Sequence, residues 1–183
     1  MPGQYWSMLM PPYVTADGTA VTATATLTEL SPTPQIVIPA PMLNEYAGKR
    51  LEINAWGYYT TTATQGTVTF DLRAGAAGAI GSMTSIAASG ALTWVASQTN
   101  RAWHIEAFMT IRSLGSAGTA IAMMDISNIT SGAADTPAAV AGTTAGATAA
   151  IDTTSARAIA LGVTNSVASQ SIICREFRVK PIN

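Results

Sequence analysis

The chain has 183 residues, enough for one domain to bury a core without disulfides or metal. Only 10% of its residues are charged and the formal net charge is -1, whereas a soluble monomer carries about a quarter charged residues. With a mean hydropathy of +0.28, this implies a surface covered by Ser and Thr or buried against partners, and it excludes several classes of function. There is no basic stripe for nucleic acid, and no apolar run suited to membrane insertion. Cys174 and His104 are the only residues of their kinds, which excludes an intrachain disulfide and Cys-based or multi-His metal sites.

The first nineteen residues differ from the rest. Tyr5, Trp6, Met8, Leu9, Met10 and Tyr13 crowd around Pro11 and Pro12, which remove backbone donors and favour extended chain. No positive segment precedes them, so the stretch does not read as a signal peptide. Residues 1–19 are expected to be an extended docking arm and 20–183 the folded domain.

From Thr19 onward the pattern has period two, which puts alternate residues on opposite faces of strands. Val21 to Leu27 alternates Thr with Val, Ala and Leu. In Arg50 to Tyr59, Leu51, Ile53 and Ala55 face one way, and Glu52, Asn54, Trp56 and Tyr58 the other. Gly66 to Arg73 sends Val68, Phe70 and Leu72 inward. Ala102 to Leu114 sets Trp103, Ile105, Ala107, Met109 and Ile111 against His104, Glu106, Phe108, Thr110 and Arg112. Gly115 to Gly118 reads as a turn into an antiparallel return over Thr119 to Ile126. Ala158–Val163 and Ser171–Val179 are further strands, with shorter candidates at Gln35–Ile38 and Leu92–Ala96. Residues 132–150 are rich in Ala, Gly and Thr; the glycines and Pro137 interrupt helical windows, so a long loop is expected, with a short strand near Ala147 to Asp152. The sum predicts an all-β, two-sheet antiparallel β-sandwich of jelly-roll type, with an immunoglobulin-like Greek key as the alternative.

Few residues offer chemistry. His104 and Glu106 share a strand face and are in principle an acid/base pair, but a partly exposed polar role suffices for both. The carboxylates are scattered without glycosidase or calcium-loop spacing. Gly75 to Gly81 is glycine-rich but lacks the Lys and the helix of a phosphate loop, and reads as a flexible connection between strands. Cys174 is a small residue in or near the core. Trp56, Tyr58 and Tyr59 are candidates for stacking on a glycan, against packing or subunit contact as the plainer role. No catalytic residue, cofactor or metal is expected.

LeuGluIleAsnAlaTrpGlyTyrTyrThrThrThr from Leu51, ThrValThrPheAspLeuArgAlaGly from Thr67, TrpHisIleGluAlaPheMetThrIleArg from Trp103 and the closing IleIleCysArgGluPheArgVal together resemble a family of tailed-phage virion proteins. That family includes capsid decoration, head-fibre and minor tail components. The resemblance runs from about Gly48 to Val179 and lies in a strand grammar without a catalytic signature. It implies a jelly roll, often trimeric, fixed to a particle through its N-terminal part. The expected role is therefore non-enzymatic: a virion-surface component held on the major capsid protein or another virion protein by its arm, as a homotrimer assembled in the host cytoplasm. A tail-tip protein binding host surface glycans through Trp56, Tyr58, Tyr59 and the loops Gly75–Gly81 and Ser131–Gly146 is the alternative.

Overall fold

A computed structural model describes residues 17–22, 25–129 and 148–182, and the main chain of 138–141. The arm residues Tyr5, Trp6, Met8, Leu9, Met10 and Tyr13 lie outside the described residues, as does most of the loop 131–146.

The described strands, in chain order, are β1 (Val21–Thr22), β2 (Thr28–Glu29), β3 (Ile36–Ile38), β4 (Arg50–Thr60), β5 (Thr67–Gly75), β6 (Thr84–Ala88), β7 (Leu92–Thr93), β8 (Arg101–Ser113), β9 (Thr119–Ser127), β10 (Ala138–Ala141), β11 (Ala149–Ala150), β12 (Arg157–Asn165) and β13 (Ser171–Ile182). They form two antiparallel sheets packed together as a β-sandwich. The seven-stranded sheet has the order β1-β13-β4-β8-β9-β10, with β11 also on β9; the six-stranded sheet has the order β2-β12-β5-β6, with β3 on β12 and β7 on β5. The chain crosses repeatedly between them: β4 lies in the large sheet, β5 to β7 in the small one, β8 to β11 in the large, β12 in the small and β13 in the large.

Period-two patterning places the core. In β4, Leu51, Ile53, Ala55, Gly57 and Tyr59 are buried, and in β8, Trp103, Ile105, Ala107, Met109 and Ile111 are buried, while the residues that alternate with them are exposed or half-buried. Val68, Phe70 and Leu72 of β5 supply the opposing layer. Phe70 meets Trp103 across the sandwich with ring centroids 5.7 Å apart, and Tyr59 meets Trp94 at 4.6 Å. Each such side chain contributes roughly 1.5–3 kcal/mol when fully buried.

β12 is buried on both faces over most of its length. Its outward Ala158 and Ala160 are roofed by Leu27, Ile80 and Met83 in a second, smaller apolar cluster. Gly162 lies beneath the lowest part of that roof: a Cβ there would stand 2.7 Å from both Ile80 Cδ1 and Leu27 Cδ1.

Several expectations need correction. The strand expected over Val21–Leu27 is divided: Val21–Thr22 pairs with β13 in one sheet, Ala25 and Thr26 bend in the open, and Thr28–Glu29 pairs with β12 in the other. The alternation is genuine, but the chain uses it to change sheets. A one-turn helix, α1 (Ala40–Leu43), also appears, favoured by Pro41 in its first turn and by burial of Met42 and Leu43. β10 arises within the expected loop because the free edge of β9 offers Met123–Ile126 a backbone ladder, which outweighs the poor strand propensity of Ala. β11 falls inside the short strand expected near 147–152. At the start of the fold, Asp17 and Gly18 are already attached to β13: Asp17 pairs with Arg175, and the Gly18 N–H donates to the Cys174 carbonyl at 2.8 Å. These two residues of the span 1–19 are thus bonded to the sandwich.

Candidate interaction face

The small sheet is roofed along β12, and among the described residues the outer face of the large sheet carries exposed Trp56, His104, Glu106 and Met123. The registers of β13, β4, β8 and β9 set its residues in rows: Glu176–Trp56–His104–Ser127, then Arg178–Asn54–Glu106–Asp125, then Lys180–Glu52–Phe108–Met123. Thr110 and Ile121 continue the next row, beside Arg50.

The β13 and β4 side of this face is internally bonded. Trp56 Nε1–H donates to Glu176 Oε2 at 3.1 Å, and the Trp56 ring meets Tyr58 edge-on at 6.1 Å. The Arg175 guanidinium, paired with Asp17, lies 5.8 Å from the Tyr58 ring centre. Glu52 takes Lys180 Nζ at 3.0 Å and an Asn54 amide N–H at 2.8 Å, with Arg178 at 3.7 Å. The hydrogen bond from Lys180 lowers the Glu52 carboxyl below its usual range, against the opposing effect of burial.

The β8 and β9 side is different. Met123, 66% exposed, stands beside Phe108, whose ring carries Arg50 at 5.4 Å on its other side. Glu106 and Asp125 are directly opposite one another, and Asp125 Oδ1 is buried without a hydrogen-bond partner. Like charges facing each other across a ladder destabilise it.

Of the three candidate glycan-stacking residues, the face unites Trp56 and Tyr58. Tyr59 is a correction: it is 1% exposed on the inner face, packed on Trp94, and its hydroxyl donates to the Asn128 carbonyl at 3.0 Å. A strand turns consecutive residues to opposite sides, so Tyr58 and Tyr59 cannot share a surface. Burial raises the Tyr59 phenol above its ordinary range.

His104 is exposed between Trp56 and Ser127, and Glu106 follows it on the same face. No group of three His, Cys, Asp or Glu residues gathers as a metal site among the described residues. Cys174 is buried, and burial pushes its thiol up to about 12.

The Gly75–Gly81 loop serves the other sheet. Gln35 bonds both the N–H and the carbonyl of Gly78, at 3.0 and 2.8 Å, and Arg73 Nη1 donates to the Ile80 and Met83 carbonyls. Beside it, Ala74, Thr84, Ser116, Asp152 and Arg157 line a cleft of about 230 Å³. Its carboxylate is occupied structurally, because Thr154 binds Asp152 Oδ1 through both hydroxyl and N–H and Arg157 takes Oδ2. The Thr154 hydroxyl is the main cause of an Asp152 carboxyl lowered to about 2.

Met123 was not among the sequence candidates. Its signal was present, an apolar residue at an outward position of the Thr119–Ile126 alternation. The chain matches no protein-family model, no curated protein and no solved structure.

Proposed function

We propose that the chain is a structural protein of a tailed-phage virion, a capsid-surface decoration or head-fibre component that works through its surfaces. The observation carrying this reading is the open face of the large sheet, where Trp56, Phe108 and Met123 lie among charged residues on a chain only 10% charged. A sheet face of this composition suits contact with another protein. The resemblance of its strand grammar to that of virion proteins is in line with the same reading. The two-sheet antiparallel sandwich is compatible with it, and a jelly-roll connectivity is part of the proposal. The N-terminal stretch, residues 1–19, is the proposed attachment to the major capsid protein or a neighbouring virion protein, and three copies the proposed assembly.

The partly exposed Trp56–Tyr58 pair favours a second reading, a tail-tip protein whose aromatic edge meets a host glycan. Counting copies against the major capsid protein in purified particles separates the two. Shell decoration gives hundreds of copies per particle, and a tail tip gives a few. Absence from the particle overturns both.

A further inference from the structure

We propose that two copies of this chain pair face to face through the outer surface of the large sheet, with their β8 strands antiparallel. The inference deepens the contact role proposed above by naming the partner, and it is independent of where in a virion the protein sits.

The outer face of β8 and β9 carries a pattern that is complementary to itself. Along the outer side of β8, after Ala102 and His104, come Glu106, Phe108, Thr110 and Arg112. Glu106 and Arg112 are exposed, one at each end of an apolar centre. Neither takes part in an ion pair among the described residues. Arg112 stands where the β8–β9 register shifts, between Ile111 and Ser113, and such irregularities re-aim a side chain.

A second copy laid over this face about a two-fold axis in the interface, crossing the strands at Met109, reverses the direction of β8. Positions equally distant from Met109 then meet. Glu106 of each copy faces Arg112 of the other, and Phe108 faces Thr110. On β9, Met123, in register with Phe108, comes over Ile121, in register with Thr110. The pairing covers the most exposed large apolar side chain described, Met123. It also brings a cation to the carboxylate row that Glu106 forms with the partnerless Asp125 Oδ1. Every favourable contact occurs twice, as a two-fold interface requires. Parallel stacking would instead set Glu106 on Glu106 and Arg112 on Arg112.

Sedimentation velocity over a concentration series, from micromolar to millimolar, tests this with the full chain. Wild type is expected to associate into an even number of copies: two, or six where the pairing joins two rings of three. Glu106→Arg and Arg112→Glu each set like charges together twice and should weaken association about ten-fold or more. The double variant E106R/R112E exchanges the two signs and should restore it. Both side chains are exposed, and circular dichroism checks that each variant is folded. The proposal is overturned by a wild type that stays monomeric, by trimers indifferent to the substitutions, or by a double variant as weak as the singles. It is also overturned if only a chain lacking residues 1–16 associates, because the arm then occupies the face. None of these outcomes alters the copy number per particle, so the virion reading stands or falls separately.

Discussion

Gly57 lies so close to Ile173 across the β4–β13 ladder that a Cβ on residue 57 would stand 1.9 Å from the Ile173 carbonyl oxygen. No rotamer relieves that collision, because the backbone alone fixes where a Cβ stands and the carbonyl is itself backbone. The register of β13 shifts just beyond, between Cys174 and Glu176. Gly57→Ala should therefore cost more than about 3 kcal/mol in urea unfolding, beyond the usual range for a small substitution. Gly81→Ala, with nothing within 4 Å of the added carbon, should stay within about 0.5 kcal/mol. Equal midpoints would refute the close approach.

Phe70 is fully buried and packed on Trp103, whereas its neighbour Thr69 faces outward and is half-buried. Phe70→Ala should cost about 3–5 kcal/mol, and Thr69→Ala about 0.5 kcal/mol or less. Thermal and chemical unfolding of the two variants measure the difference directly.

Cys174 should be inert in the folded chain. Its thiol is buried and its pKa is raised from 9.0 to about 12, so the folded state keeps a proton that the unfolded state releases. Where the folded form binds more protons, stability falls as pH rises. The loss should begin near the unfolded value of 9.0 and continue toward about 12. Thiol labelling at neutral pH should proceed only as fast as unfolding, and Cys174→Ala should flatten the alkaline limb. Rapid labelling of native protein would contradict the burial.

Tyr59→Ala and Trp56→Ala should separate core from surface. The first opens a cavity against Trp94 and should cost about 3–5 kcal/mol. The second removes a side chain 38% exposed and should cost about 1 kcal/mol or less. On the glycan reading, Trp56→Ala abolishes binding to host polysaccharide while the protein remains folded.

The long strands were legible because their two faces meet different surroundings. β4, β5, β8, β9 and β13 each lie with one side on the core, and the alternation of Leu51, Ile53 and Ala55 with Glu52, Asn54 and Trp56 records that asymmetry. β12 was found through its apolar run, but the roof over Ala158 and Ala160 was not, because Leu27, Ile80 and Met83 come from distant segments. Val21–Leu27 misled for a related reason: alternation reports which side is buried, not which sheet provides the burial. The candidate site was half readable. Trp56 and Tyr58 share a face by parity, and parity should also have removed Tyr59. The juxtaposition of Phe108 with Met123, and of Glu106 with Asp125, depends on the β8–β9 register, which a bulge near Ser113 offsets and which alternation alone does not fix.

The place of β13 between β1 and β4 governs the order in which the molecule can form. β4, β8 and β9 are neighbours in space and all precede β13 along the chain, so they can associate while later residues are still being synthesised. β13 must then enter beside a strand made more than a hundred residues before it, as the register of Ile182 with Arg50 shows. Until it does, β4 has an open edge bearing Leu51, Ile53 and Tyr59, and the nascent chain is vulnerable to pairing with strands of other copies. Closing such a distant pair is slow. The yield of native protein should therefore depend on how quickly translation delivers residues 171–182, more than on the stability of the finished sandwich.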